Sequence, residues 1–286
     1  MEPNLNYKVW YCTGTSTGIG LSIVKRLLLQ PDTKVVAITR SPEKIEKQIP
    51  IEHLPNLLAI KTDITNEESV KQSISKTMET FGRIDVVVNN AGVGIIGSVE
   101  ELSDQEFRKA FDVNFFSVLH ICRNVAPIMR KQKSGLIMNV ASVLAWFTVG
   151  EYAAYNTTKY ALNGLSYTLG QELAPFGIKV VLLSPSGFKT NFVNDNMECT
   201  KVKIEGYKTD DLAKWLDGIV NDARGDPDKF ADAIITVSKM EEPPKNLFLG
   251  TAAVNWMEGE FKKQIDELKL NHELTISTDF PNLPPL

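Results

Sequence analysis

The chain has 286 residues, 43% hydrophobic and 23% charged, ordinary globular proportions that exclude a disordered, collagen-like or coiled-coil chain. Its formal charge is −4, from 31 Lys and Arg against 35 Asp and Glu, with a pI of 5.6. With no basic run, that balance argues against nucleic acid or an anionic membrane as a partner. No apolar run approaches the ~20 residues of a membrane-crossing helix, and the N-terminus lacks the basic-then-apolar form of a signal peptide. Cys12, Cys122 and Cys199 lie far apart, and Cys12 and Cys122 sit inside apolar periodic segments, so buried thiols are expected and not a disulfide framework or metal site. A reducing compartment, the cytoplasm, is expected.

In chain order, Tyr7–Thr13 reads as a strand and Gly18–Gln30 as a helix with Ile19, Ile23 and Leu27 at helical spacing. Lys34–Thr39 is a strand, followed by a short helix opened by Ser41-Pro42. Leu57–Lys61 is a strand, and Asn66–Phe81 a helix with Val70, Ile74, Met78 and Phe81 on one face. Ile84–Val88 is apolar apart from Asp85, as expected of a strand covered on both sides. Ser103–Lys131 reads as one long helix, Leu136–Val140 as a strand, Tyr152–Ala174 as a helix and Ile178–Leu183 as a strand. From Pro185 to Arg224 no strand is evident, but Leu212, Trp215, Leu216, Ile219 and Val220 form an amphipathic stripe. Asp226-Pro227 opens another helix, Asn246–Leu249 is a short last strand and Ala252–Leu268 a last helix. An irregular proline-rich tail covers Thr275–Leu286.

Strand–helix alternation of this kind predicts an α/β fold, a doubly wound parallel sheet with helices on both faces. Ligands bind such sheets at the carboxyl ends of the strands, so the functional residues belong in the turns that follow them. With no linker, repeat or low-complexity tract, one domain over 1–286 is expected. Its parts are a dinucleotide-binding core (1–184), a substrate lid (185–225) and C-terminal helices, strand and tail (226–286).

The first such turn is Thr13-Gly14-Thr15-Ser16-Thr17-Gly18-Ile19-Gly20. Glycines there permit a tight turn and let backbone approach a pyrophosphate, which the next helix's unpaired N–H groups attract. Asn89-Asn90-Ala91-Gly92 follows the fourth strand, Asn114 sits in the long helix, Ser142 follows the fifth strand, and Tyr155-Asn156-Thr157-Thr158-Lys159 opens the next helix. In this order and these places, from about Lys8 to Thr190, the chain resembles the short-chain dehydrogenase/reductase family. Within it, the chain is most like 17β-hydroxysteroid-dehydrogenase-like and retinol-dehydrogenase-like members.

Tyr155 and Lys159 are four apart on a helix and share a face. A Y-x3-K pair by itself is more often an exposed helix surface; the company it keeps here is what singles it out. A nearby ammonium is expected to lower the phenol's pKa from ~10 and make proton transfer to a carbonyl oxygen feasible. By resemblance, Lys159 also holds the nicotinamide ribose, Ser142 holds the substrate oxygen beside Tyr155, and Asn114 positions a water behind Lys159. The resemblance further assigns cofactor contacts to Thr13, Gly14, Ser16, Thr17, Gly18, Ile19, Asn90, Ala91, Gly92, Tyr155 and Lys159, to Asp63 and Ile64 at the adenine, and to Pro185, Phe188 and Thr190 at the nicotinamide. His53, His120 and His272 share no ligand-like spacing, so no metal is expected.

The second strand ends Thr39-Arg40, where users of NAD place a carboxylate for the ribose hydroxyls. A guanidinium there suits a 2′-phosphate, which favours NADP(H) over NAD(H). Ser186, in Pro185-Ser186-Gly187, replaces the family's usual glycine beside the nicotinamide. Trp146 and Phe192, with Phe147, Tyr152, Met197, Tyr207 and Trp215, imply an aromatic cleft. Such a cleft suits a small apolar carbonyl or alcohol. The resemblance implies a homodimer or homotetramer paired through Ser103–Lys131 and Tyr152–Ala174. The alternative is a non-catalytic NADP(H)-binding sensor that retains the fold, against which the complete Asn, Ser, Tyr and Lys set argues.

Overall fold

Val, Ile and Leu runs such as Lys34–Thr39 disappear into the middle of the molecule, where both faces of a strand must be covered. The structure, a computed structural model, describes residues 7–221 and 223–280. In order these form β1 (Lys8–Thr13), α1 (Gly18–Leu28), β2 (Thr33–Thr39), α2 (Pro42–Glu46), β3 (Leu57–Lys61), α3 (Glu67–Phe81), β4 (Val86–Asn89), β5 (Gly94–Ile96), α4 (Asp104–Phe111) and α5 (Ser117–Gln132). There follow β6 (Gly135–Val140), α6 (Ala153–Leu173), β7 (Ile178–Pro185), α7 (Phe192–Asn196), β8 (Met197–Cys199), α8 (Thr209–Asn221), α9 (Pro227–Val237), β9 (Asn246–Leu249), α10 (Thr251–Leu270) and α11 (His272–Ile276).

Seven strands pair in parallel in the order β3-β2-β1-β4-β6-β7-β9. The winding direction reverses between β1 and β4, which opens a crevice beyond their carboxyl ends. One face of the sheet buries Ile23, Val24 and Leu27 of α1 with Phe230 and Ile234 of α9. The other buries Val70 and Ile74 of α3, Val118, Ile121 and Val125 of α5, and Leu162 of α6. This is a doubly wound α/β fold of one domain, and local chemistry sets its element ends. Asn66 caps α3 by accepting from Ser69 N–H at 2.9 Å, and Gly82 closes that helix at φ +72°. Ser103 and Glu106 form a capping box at the start of α4.

Two expectations need correction. Ser103–Lys131 is not one helix, because a π-turn over Asp112–Phe116 separates α4 from α5, with Ser117 N–H bonded to Asp112 O. Such turns cluster at functional sites. Between Pro185 and Arg224 there is a strand after all, since β7 runs to Pro185 and β8 pairs in parallel with β5. Three-residue strands are too short to show a period of two. Of the expected irregular tail, α11 takes only Thr275 and Ile276, and 277–280 are irregular; residues 281–286 lie outside the described residues, as do the side chains of Ile219 and Val220. Among the described residues, no helix is long and apolar enough to cross a membrane.

Candidate active site

The crevice begins where β1 hands over to α1. Thr13 Oγ1 accepts from the N–H groups of Asn90 and Ala91 at 3.0 and 3.1 Å, and the Asn90 amide donates to the carbonyls of Thr13 and Gly14 at 3.0 and 3.1 Å. The glycine turn is thereby clamped to the end of β4. Gly14 sits at φ +66°, and a Cβ there would lie 2.8 Å from Ala91 Cα, so only glycine fits. At the start of α1, Thr17 makes no side-chain cap and the first turn holds no acid. Its free N–H groups and positive pole therefore remain for an anion. Arg40, at the end of β2, is exposed and has no hydrogen-bond or ion-pair partner among the described residues. Thr39 is turned aside, its Oγ1 accepting from Ser41 N–H at 3.1 Å. Asp63 accepts from Thr65 N–H and Oγ1 at 3.0 and 2.7 Å.

At the other end of the crevice, α6 presents Tyr155 and Lys159. Lys159 is buried, and its Nζ donates to Val140 O at 3.0 Å and lies 5.4 Å from the Tyr155 ring centre. Burial lowers this ammonium to a pKa of about 8. Burial also pushes the Tyr155 phenol up to about 12, against the opposing hydrogen bond of the Ser142 hydroxyl. The shift runs opposite to the lowering expected from sequence, because burial of the phenolate outweighs the Ser142 hydrogen bond. Ser142 stands at the end of β6, its Oγ accepting from Leu144 N–H at 3.1 Å.

One cavity of about 770 Å³ joins both ends. It is lined by Gly14, Ser16, Thr17, Gly18, Ile19, Arg40, Asp63, Ile64, Asn90, Ala91, Gly92, Ser142, Tyr155, Lys159, Pro185, Phe188, Thr190 and Phe192. Four expected residues lie outside the lining, among them Tyr207, which is exposed with its hydroxyl donating to Glu100 Oε2 at 2.6 Å. Thr13 is the clamp just described. Asn114 is buried in the π-turn with its amide consumed: Oδ1 accepts from Val93 N–H at 2.8 Å, and Nδ2 donates to Val93 O at 2.8 Å and Thr158 Oγ1 at 3.0 Å. Trp146 turns away, its indole N–H donating to Ser184 Oγ at 3.1 Å and its rings packing on Tyr167, Phe248 and Phe261. Phe147 and Trp256 line the cavity in its place.

Sequence reasoning missed Thr158, which bonds Tyr155 O at 2.8 Å and so ties the Asn114 amide to the helix turn between Tyr155 and Lys159. Its place inside the Y-x3-K motif was the available signal. Trp256 gave none, being a hundred residues away on α10. Ser186, in the family's glycine position, is accommodated: its hydroxyl donates to Leu249 O at 3.2 Å and occupies the space left by Gly250, which has φ +97°.

The glycine cradle, the uncapped start of α1 and the unpaired Arg40 fit a dinucleotide diphosphate. Comparison with known proteins agrees. The family description that matches residues 8–200 is short chain dehydrogenase. A short-chain dehydrogenase of Streptomyces avermitilis superposes with a TM-score of 0.87 at 31% identity, over 95% of this chain and 100% of that one. A 3-ketoacyl-(acyl-carrier-protein) reductase of Brucella melitensis, complexed with NADH, gives 0.71 at 26% identity over 86% and 97% of the two chains. An alcohol dehydrogenase of the archaeon Thermococcus sibiricus, complexed with 5-hydroxy-NADP, gives 0.69 at 27% over 85% and 96%. With family match, fold and cleft in agreement, the chain belongs to the short-chain dehydrogenase family, oxidoreductases that move a hydride between a nicotinamide and a carbonyl carbon.

Proposed function

We propose that this protein is an NADP(H)-dependent oxidoreductase of apolar carbonyl compounds and secondary alcohols, with Tyr155 as its acid–base. The carrying observation is a half-buried phenol beside Ser142 and Lys159, at the end of a cleft whose other end holds an unpaired guanidinium. A bound nicotinamide supplies or accepts the hydride. Tyr155, protonated at neutral pH, donates its proton to the carbonyl oxygen in reduction and takes it back in oxidation. Ser142 holds that oxygen, and the Lys159 ammonium stabilises the phenolate left behind. At the nucleotide end, Ser16 to Ile19 receive the diphosphate, Arg40 the 2′-phosphate, Asp63 and Ile64 the adenine, and Pro185, Phe188 and Thr190 the nicotinamide. Leu144, Phe147, Val149, Phe192 and Trp215 around Tyr155 support an apolar substrate, in keeping with the steroid- and retinoid-dehydrogenase-like branch. Residues 185–225 form the lid. The protein is read as a homodimer or homotetramer associating through α4, α5 and α6.

The test is a side-by-side titration of NADPH and NADH by reduced-nicotinamide fluorescence, with Arg40→Ala and Tyr155→Phe in parallel. NADPH is expected to bind at least about tenfold tighter, an advantage lost in Arg40→Ala. Tyr155→Phe is expected to bind NADPH normally and turn over no carbonyl. Equal affinities would remove Arg40 from the phosphate site. Full turnover by Tyr155→Phe would sink the mechanism.

A further inference from the structure

A second tyrosine lies flat against Tyr155. The Tyr152 and Tyr155 rings are stacked, centres 4.5 Å apart and planes 7° from parallel. Tyr152 immediately precedes α6, three residues before Tyr155 and so on the same helix face. Its place is fixed independently of that helix: Glu151 adopts a left-handed φ of +54°, and Glu151 O accepts from Gly97 N–H at 2.7 Å, just past β5. The Tyr152 ring is 2% exposed and packs with Ile96 of β5, Met197 of β8, and Leu212 and Leu216 of α8. Its hydroxyl fills the notch beside Gly94, where any Cβ would collide with it and lie 2.9 Å from Met197 Cγ. One ring therefore touches Tyr155 on one side and the lid's strand and helix on the other.

We propose that Tyr152 is a positioning residue: its ring holds the Tyr155 phenol at its reacting angle and makes that angle depend on the seating of β8 and α8. The proposal rests on Tyr155 being the proton-transfer group. It assigns the work to the ring face of Tyr152 and not to its hydroxyl. Gly94 then has the task of leaving room for that ring.

Steady-state kinetics with NADPH and a panel of benzil, acetophenone, menadione and phenanthrenequinone test this. Tyr152→Leu is expected to lower kcat by about 10- to 100-fold, the loss that a small misplacement of a reacting group brings. Tyr152 borders the cavity but is 2% exposed, so KM and NADPH affinity should stay within about threefold of wild type while kcat falls. Tyr152→Phe should restore kcat, since it keeps the stacked ring. Gly94→Ala should lower kcat as Tyr152→Leu does, and Gly94→Ala with Tyr152→Phe should recover much of it, because losing the hydroxyl frees space for the new methyl. Crystal structures of Tyr152→Leu and Tyr152→Phe should show the Tyr155 ring displaced in the first and unmoved in the second. A Tyr152→Phe as slow as Tyr152→Leu, an unaltered kcat in Tyr152→Leu, or an unmoved Tyr155 ring there would each overturn the proposal. Should the wild type reduce none of the panel, the proposed function fails for these carbonyls, while the ring positions still decide the role of Tyr152. If Tyr152→Leu does not fold, the Gly94→Ala pair decides it.

Discussion

Lys159 carries a charge in a place that discourages one. Its pKa falls from 10.5 to about 8 because burial penalises the ammonium. Below about pH 8 folded and unfolded chains both hold the proton, and the folded chain bears the full cost. Between about 8 and 10.5 the folded chain sheds the proton while the unfolded chain keeps it, so this group makes stability rise with pH across that window. Lys159→Met should therefore melt higher than wild type at pH 7, and thermal melts across the pH series should show the gap closing through that window. A constant gap would mean that lost packing or hydrogen bonding, and not burial of charge, sets the difference. Carbonyl reduction by the wild type should weaken above about pH 8, as the ammonium that supports the developing phenolate is lost. At this scale most of the site was legible, because Tyr155, Lys159, Ser142 and the glycine turn are chemistry written as residue types at fixed spacing. The state of Tyr155 was not legible. It depends on how many atoms surround the phenol, which no spacing records.

The π-turn over Asp112–Phe116 is the element with most to say. It carries the Asn114 amide to the two backbone groups of Val93, linking the long-helix region to the loop after β4. Val93 N–H and C=O sit where no strand partner serves them, and Asn114 serves both. Asn114→Ala should cost about 1–3 kcal/mol for each group left unpaired and buried, lowering the melting temperature and loosening that loop in hydrogen exchange. An unchanged melt would show that water replaces the amide. The seven sheet strands and their helices were readable, because β-branched runs and helical stripes are long enough to show their period. The π-turn was not, since a helix with one extra residue keeps the same composition. Nor were β5 and β8. Strands of three residues exist only through their pairing with each other, Gly94 against Met197.

Across the whole molecule, the exposed aromatic side chains bear on assembly. Phe116 and Tyr160, 41% and 42% exposed, lie at the π-turn and on α6, in the region proposed for self-association. Sedimentation should find a dimer or tetramer, and Phe116→Asp with Tyr160→Asp should shift it toward monomer without weakening NADPH binding. A monomeric wild type would remove these faces from consideration.

The segment proposed as the lid is fastened by a carboxylate. Glu101 is 2% exposed, and burial alone would raise its pKa. Donors from Thr209, Ser98 N–H and Ile204 N–H outweigh burial and bring it down to about 2. Its hold on the lid is complete above the ordinary carboxyl value and fades only as pH falls toward that figure. The two ends of this fastening are 103 residues apart in the chain. Contacts so distant form only after a large loop has closed. This fastening of the segment proposed as the lid therefore waits on a long loop closure, as does the packing of α1 on α9. On the proposed function, mutations that weaken this fastening should leave a chain that still captures its coenzyme but has lost its selectivity, so selectivity is what this architecture exposes first to evolutionary drift.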